Sequence, residues 1–161
     1  MKFRLSLIIV FCSCFFLPAD VGMGGSFSYS VSTTPTSFVS FSARSDESPW
    51  CVFLNAHLEK ETVSLFVDNW FINERLGSHL DYYVLWGLGL GATFDDGKRM
   101  IASGSRLGAG LDFFFSDRRI EVFAQAVCEP YYGFRKGSSS GWRSFIRPLN
   151  FPCSAGIRLW F

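Results

Sequence analysis

Polar and apolar residues alternate along much of this chain, most clearly in its last nine residues, 153–161. Cys, Ala, Ile, Leu and Phe occupy the odd positions of that stretch, and Ser, Gly, Arg and Trp occupy the even positions. A period of two is the pattern of a β-strand with one apolar face and one mixed face. Further segments alternate in the same way, and no window repeats apolar residues at helical spacing. The predicted strands are 26–32, 38–44, 50–58, 62–72, 80–94, 105–115, 120–129 and 153–161.

Polar segments that contain Pro, Gly, Ser or Asp separate these predicted strands. An even number of antiparallel strands brings both ends of the chain to one side of a barrel. On that side we expect turns at 45–49, 73–79 and 116–119. On the other side, which we take to be the cell exterior, we expect loops at 33–37, 59–61, 95–104 and 130–152.

The composition indicates what kind of sheet these strands form. The chain is 48% apolar and 18% aromatic, with 19 Phe, which is a heavy apolar load for a small water-soluble protein. After residue 20, no apolar stretch reaches the roughly 20 residues that a membrane-spanning helix needs. A barrel accommodates the load, because its membrane-facing residues are distributed one in two over many short strands. Glycines at alternate positions 87, 89 and 91, within the predicted strand 80–94, favour the inner wall of a narrow barrel. We therefore predict an all-β fold, an eight-stranded antiparallel transmembrane β-barrel.

Residues 1–19 have the three-part pattern of a secretory signal peptide. Lys2 and Arg4 precede an apolar run of 13 residues, and a Pro-Ala pair follows that run. The run is too short for a membrane anchor, so we expect it to be cleaved on export. The alternative is lipidation at Cys14. After cleavage, 20–161 would form a single outer-membrane barrel domain.

The net charge excludes one class of partner. The chain has 15 basic and 14 acidic residues, and removal of Lys2 and Arg4 leaves 13 basic residues against 14 acidic ones. A net charge near −1 gives no basic footprint for nucleic acid.

Several charged residues occupy positions that the alternation directs into the barrel lumen. Unpaired charges would be very unfavourable there, so we expect a hydrogen-bonded ionic network. Arg158 is expected to pair with Glu121 or Glu129. Arg106 is expected to pair with Asp112. One interpretation is a polar plug in a barrel too narrow for a water-filled pore; the other is a charged constriction that gates small solutes. The predicted network comprises Arg44, Asp68, Asp81, Arg106, Asp112, Glu121, Glu129 and Arg158.

Paired carboxylates also occur in the active sites of enzymes. Catalysis would need a base, a nucleophile and an orienting group that meet at one place. His57 is expected near the outer rim beside Glu59 and His79 in a turn at the other end, with no serine placed against either. The two His and the three Cys beyond the signal peptide show no metal-ligand spacing. The sequence predicts no enzyme, no metal site and no cofactor.

Three cysteines lie beyond the signal peptide, and an odd number leaves at least one unpaired. Cys128 is expected to end one predicted strand and Cys153 to begin the next, both near the outer rim. We take a disulfide between them as a hypothesis, in an oxidising compartment that permits it. Cys51 belongs to the opposite end of the barrel and is expected to remain free.

The 130–152 segment combines aromatic and basic residues and contains no acidic residue. One interpretation is an aromatic girdle with basic residues that face anionic lipid headgroups. The other is a binding site for an extracellular ligand or host molecule, because aromatic and Arg side chains often anchor such contacts. The candidate residues are Tyr131, Tyr132, Phe134, Arg135, Lys136, Trp142, Arg143, Phe145 and Arg147.

Three stretches of the sequence resemble the small uncharacterised outer-membrane barrels of spirochaetes. They are 107–117 (LGAGLDFFFSD), 121–125 (EVFAQ) and 155–161 (AGIRLWF). More distantly, the chain is similar to the eight-stranded OmpW and OmpX types. The resemblance implies a bacterial outer-membrane location and a closing strand, ending in Trp160 and Phe161, that is read by the barrel-assembly machinery. The OmpW type also implies passage of small hydrophobic compounds through the barrel wall.

These observations lead to two expectations for the role of the protein. The first is a monomeric barrel, surrounded by outer-membrane lipids, whose exposed loops serve envelope structure or contact with host or environmental molecules. The alternative is an OmpW-like, porin-like channel for small or hydrophobic solutes. The sequence names no ligand for either role.

Overall fold

A computed structural model describes residues 20–31, 35–58, 61–95, 98–136 and 141–161. The predicted signal peptide, with the candidate lipidation site Cys14, lies outside these residues. The strands are β1 (Val21–Val31), β2 (Thr36–Ser45), β3 (Trp50–His57), β4 (Thr62–Arg75), β5 (Leu80–Asp95), β6 (Lys98–Phe115), β7 (Ile120–Cys128), β8 (Tyr131–Lys136), β9 (Trp142–Arg147) and β10 (Phe151–Trp160). Over the described ranges, no helix has the length and apolarity needed to span a membrane.

Eight of these strands close into an antiparallel barrel, which confirms the predicted fold class. Strands β1 to β7 follow one another around the barrel, and β10 lies between β7 and β1. In the β1–β10 pairing, the hydroxyl groups of Ser28 and Ser154 are 2.7 Å apart. The backbone N–H of Asp20 donates to the carbonyl of Phe161 at 2.7 Å, so both termini of the described chain lie at one end, here called the terminal end.

Side chains along the strands alternate between the outer surface and the lumen, as the sequence pattern predicts. On β1, Phe27 is 51% exposed, whereas the neighbouring Ser28 is 6% exposed. On β7, Val122 is 39% exposed and Phe123 is 1% exposed. The outward side chains are mainly apolar, and the buried ones include many charged and polar groups. This inside-out distribution is typical of a barrel whose surroundings are lipid.

Two predicted loops are largely strand, and this is the main departure from the sequence-based picture. The 130–152 segment contains β8 and β9, which form an antiparallel hairpin. The loop predicted at 95–104 is mostly part of β6. β6 pairs with β7 from Leu107 to Phe115 and with β8 from Arg99 to Gly104. At about 3.3 Å per residue, β6 therefore extends roughly 30 Å beyond the level at which β7 ends. We call this end of the barrel the hairpin end.

Glycines in the barrel wall leave room for aromatic rings in the lumen. A Cβ atom at Gly110 would lie 2.3 Å from the Tyr83 ring, and one at Gly89 would lie 2.1 Å from the Phe66 ring. Such approaches require residues without a side chain, as the glycine-rich pattern of 80–94 indicates for an inner wall.

Candidate functional site

Arg158 lies at the centre of a charge network in the lumen. β10 places it opposite Glu121 of β7, and neither side chain is exposed. Its guanidinium group donates hydrogen bonds to Glu121, to the Ser42 hydroxyl at 3.0 Å and to Cys51 Sγ at 3.7 Å. The same group lies 3.9 Å from the centroid of the Phe123 ring. The Arg158 side chain thus joins β10, β7, β2 and β3 across the barrel.

Arg44 forms a second ion pair, with Asp112, at 3.6 Å between Nη1 and Oδ2. Its guanidinium carbon lies 4.0 Å from the centroid of Trp70, which stacks in parallel on Tyr83 with ring centroids 3.6 Å apart. The expected pairing of Asp112 with Arg106 is wrong. Both residues belong to β6 and lie six positions apart, roughly 20 Å along the strand, so they occupy different levels of the lumen.

Arg106 occupies the level nearer the hairpin end. Its Nη1 lies 3.0 Å from the Asp68 carboxylate, and its Nε lies 3.7 Å from that of Glu129. The guanidinium carbon also lies 4.6 Å from the centroid of the Phe66 ring. Glu129 therefore pairs with Arg106, and Glu121 is the partner of Arg158.

Asp81 has a partner that the sequence analysis did not identify. Arg118, from the turn between β6 and β7, donates a hydrogen bond to its carboxylate. The Arg118 guanidinium carbon lies 3.8 Å from the centroid of Phe114. Residues 116–118 all have positive φ values, between 49° and 67°, and this tight turn lies at the terminal end. The alternation of strand residues assigns no direction to residues in turns, so it could not identify Arg118 as the partner of Asp81.

Trp160 caps the charge network at the terminal end. Its indole N–H donates to the Glu121 carboxylate at 2.7 Å, and its ring centroid lies 5.6 Å from the Arg44 guanidinium carbon. Phe161 is 69% exposed and has the outward direction that the alternation predicts. The role of Trp160 and Phe161 as an assembly signal remains a prediction.

Large side chains fill the space between the ion pairs. Phe53, Leu85 and Phe123 are each at most 2% exposed, and the Tyr83 hydroxyl donates to Gln125 at 3.0 Å. Ion pairs tolerate this burial only where each charge keeps a partner, which the network supplies for each of its arginines. The buried apolar cluster comprises Cys51, Phe53, Phe66, Trp70, Tyr83, Leu85, Phe123 and Val127.

The expected disulfide between Cys128 and Cys153 is not formed. Both are free thiols, and so is the buried Cys51. Cys153 lies opposite Ala126 in the β7–β10 pairing, two residues away from the level of Cys128. Diagonal neighbours on adjacent strands are roughly 7–8 Å apart, which exceeds the usual Cα separation of a disulfide.

The hairpin of β8 and β9 has two faces of different character. Its inner face continues the lumen wall of β6, and its outer face continues the lipid-facing surface of β6. On the inner face, Tyr131 packs edge-on against Phe145 with ring centroids 6.2 Å apart, and Arg147 lies 5.8 Å from the Tyr131 centroid. The inner face carries Tyr131, Gly133, Arg135, Arg143, Phe145 and Arg147. The outer face carries Tyr132, Phe134, Lys136, Trp142, Ser144 and Ile146.

Cross-strand pairing brings like charges together near the tip of the hairpin. Arg135 lies opposite Arg143 on the inner face, and Lys136 lies opposite Arg99 of β6 on the outer face. Like charges directly opposite one another are destabilising in a sheet. The 130–152 segment contains no acidic residue to offset them. Both pairs would therefore be stabilised by a bound anion.

The two histidines have separate aromatic surroundings. His57 in β3 packs edge-on against Phe38 with ring centroids 4.8 Å apart, and the His79 ring lies 6.1 Å from that of Phe113. In the part of the chain that the structure describes, no group of three His, Cys, Asp or Glu side chains could hold a metal ion. The absence of enzymatic activity remains a prediction.

Comparison with known proteins supports the fold. No protein-family model matches the sequence, and no curated protein matches it. The chain is similar to the crystal structure of neisserial surface protein A, with a TM-score of 0.52 over 88% of this chain and 96% of that chain. The two sequences are 12% identical, so the likeness shows the fold alone, a small barrel of the outer-membrane type. The narrower resemblance to spirochaetal barrels and to the OmpW and OmpX types remains a prediction.

Proposed function

We propose that this protein is an outer-membrane barrel that carries the β8–β9 hairpin outside the cell and binds anionic extracellular molecules there. The apolar outer surface and the shared fold support a location in the bacterial outer membrane. Insertion by the barrel-assembly machinery and a monomeric state belong to the same proposal.

The observation that carries the proposal is the pairing of Arg135 with Arg143 on the inner face of the hairpin. Both residues are exposed, and Arg147 adds a third guanidinium group on the same face. Arginine forms planar, bidentate hydrogen bonds with carboxylate, sulfate and phosphate groups. Tyr131 packs against Phe145 at the base of this face. The guanidinium groups are therefore positioned by a pair of strands and not by an irregular loop.

The packed lumen supports an interaction role over transport. Arg158, Glu121 and Asp112 are fully buried in the barrel, and aromatic rings occupy the space between them. A barrel of this strand number has an interior that side chains can fill. The OmpW-like channel, with solute passage, stays an alternative that a conductance measurement tests.

Binding of the protein to heparin, a sulfated polyanion, would test the interaction role. The refolded protein in phosphatidylcholine nanodiscs is expected to bind immobilised heparin at low salt. Substitution Arg135→Gln/Arg143→Gln is expected to weaken binding about tenfold, because each exposed charge contributes roughly 0.5–1 kcal/mol. The matched control is Arg75→Gln/Arg119→Gln, which removes two exposed charges at the terminal end.

The control variant is expected to bind heparin like the unmodified protein. Equal loss in both double variants would mean that overall charge decides binding and would overturn the role assigned to the hairpin. Planar-bilayer recording of the same preparation is expected to show no steady conductance. A clear single-channel conductance would favour the channel alternative.

A further inference from the structure

A groove of about 800 Å³ runs along the outer surface where the hairpin departs from the barrel wall. Its floor is formed by Ser103, Gly104 and Ser105 of β6. Leu88 and Leu90 of β5 line one side of the floor, and Tyr132 and Ile146 of the hairpin line the other. The residues lie in one register row, in which Leu90 is opposite Ser103, Ser103 is opposite Tyr132, and Tyr132 is opposite Ile146.

The groove results from a change in side-chain size within this row. Small residues on β6 stand between large apolar residues on both neighbouring strands, so the outer surface is hollow there. Leu90 is 63% exposed and Ile146 is 70% exposed, which leaves both sides of the groove without a protein partner. At the other end of the groove, Trp50 and Trp86 pack edge-on with ring centroids 5.9 Å apart. An apolar chain laid along the floor would cover these side chains.

A pair of cations stands on the same outer face, closer to the tip of the hairpin. Arg99 and Lys136 lie opposite each other, four residues beyond Ser103 and Tyr132 on their strands. At about 3.3 Å per residue, this places their backbones roughly 13 Å from the floor of the groove. Both side chains are exposed.

Basic residues cluster near the tip of the hairpin. The described strand pairs place Arg99, Arg135, Lys136 and Arg143 there. An anion that reaches the Arg99–Lys136 pair would reduce the repulsion within it.

We propose that the groove binds one acyl chain of a lipid whose phosphate-bearing headgroup is held by Arg99 and Lys136. An apolar hollow with a cationic pair above it matches a molecule that has an apolar chain and an anionic head. The groove lies on the membrane-facing side of the hairpin, whereas the polyanion site lies on its inner face. The lipid site rests only on the membrane location in the proposed function, and it does not depend on heparin binding.

Quenching of tryptophan fluorescence by brominated lipids would test the site, because Trp50 and Trp86 line the groove. The protein is reconstituted in phosphatidylcholine with a low, equal fraction of brominated phosphatidylglycerol or brominated phosphatidylcholine. The brominated phosphatidylglycerol is expected to quench tryptophan fluorescence more strongly than the brominated phosphatidylcholine. The reason is that each cation is expected to enrich the anionic lipid at the groove about fivefold. Equal quenching by the two lipids would overturn the proposal.

Two variants separate the acyl chain from the headgroup. Ser103→Leu/Ser105→Leu fills the floor and is expected to abolish the extra quenching. Ala109→Leu, which adds a leucine side chain at an exposed β6 position outside the groove, is its control and is expected to leave the extra quenching unchanged. Arg99→Gln/Lys136→Gln is expected to bring phosphatidylglycerol down to the level of phosphatidylcholine.

The variant Arg135→Gln/Arg143→Gln distinguishes this site from the polyanion site. It is expected to keep the lipid preference while it loses heparin affinity. If it loses the lipid preference as fully as Arg99→Gln/Lys136→Gln does, general surface charge causes the enrichment and the lipid site is wrong. All substituted positions are on the surface, and β-sheet circular dichroism confirms that each variant is folded before comparison.

Discussion

Arg158 of β10 lies directly opposite Glu121 of β7, and their side chains form an ion pair that is fully shielded from solvent. β7 and β10 are joined by a long connection, which contains the hairpin. The pair therefore links two strands that no tight turn holds together. Trp160 adds a hydrogen bond to the same carboxylate at 2.7 Å.

The first prediction concerns this pair. Arg158→Met would leave the Glu121 carboxylate buried without its cationic partner, and we expect a loss of about 3–5 kcal/mol in the free energy of unfolding. The double variant Arg158→Met/Glu121→Leu is expected to be more stable than Arg158→Met, because it removes the orphaned charge as well. Urea unfolding of the refolded protein in lipid vesicles measures both. If the double variant lost as much stability as the two single substitutions lose in sum, Arg158 and Glu121 would not be coupled.

The second prediction concerns the close approach of Tyr83 to the barrel wall. A Cβ at Gly110 would lie 2.3 Å from the Tyr83 ring and 2.7 Å from a backbone oxygen of residue 124. Gly110→Ala is therefore expected to destabilise the barrel by about 1–3 kcal/mol. Gly25→Ala is the matched control, since the nearest atom to its Cβ is 3.7 Å away, and it is expected to change stability by less than about 0.5 kcal/mol. Equal unfolding midpoints for Gly110→Ala and Gly25→Ala would show that the Tyr83 ring moves aside without loss of stability.

The alternation of residues was sufficient to predict the barrel and the direction of its side chains. Phe27 and Ser28 are typical, because a strand with lipid on one side and packed lumen on the other permits only one register. The start of β1 was missed. Gly24 looks unsuitable for a strand, yet its added Cβ would lie 1.8 Å from a β10 carbonyl oxygen, so the close pairing with β10 requires glycine there.

The hairpin was missed because aromatic and basic residues were interpreted as a loop. A structureless segment of 23 residues between two strands is unusual, and length alone argued against it. The Gly- and Ser-rich stretch 137–141, flanked by the alternating residues of 131–136 and 142–147, is typical of a hairpin. The partners of Arg106 could not be predicted, since pairing across a lumen depends on strand stagger that no local pattern encodes.

The third prediction concerns the thiols. A chain that begins at Asp20 and is denatured without reductant is expected to take up three maleimide labels, one for each of Cys51, Cys128 and Cys153. In the folded protein, Cys51 is expected to be spared, because it is fully buried against Arg158. Mass spectrometry counts the labels. Uptake of a single label by the denatured chain would indicate the disulfide between Cys128 and Cys153.

The last prediction is that the barrel folds without its hairpin. The backbone N–H of Glu129 donates to the carbonyl of Asn150 at 2.8 Å, so the two ends of the intervening segment are already adjacent. Replacement of 130–149 by an Asn-Gly turn, which suits a two-residue connection, would join β7 to β10 directly. The barrel keeps every pairing that closes it, because the described residues of β8 pair with β6 and β9, and those of β9 pair with β8.

The shortened chain is expected to refold with the β-sheet circular dichroism spectrum of a barrel and to change the free energy of unfolding by less than about 2 kcal/mol, within the usual effect of a loop change. It is expected to lose heparin binding and the preference for phosphatidylglycerol together, since Arg143 and Lys136 are both removed. The matched control is a full-length chain in which the order of residues 142–147 is scrambled, because it keeps the length of the segment. Failure of the shortened chain to refold would show that the hairpin stabilises the barrel, and retention of either binding activity would place that activity on the barrel wall.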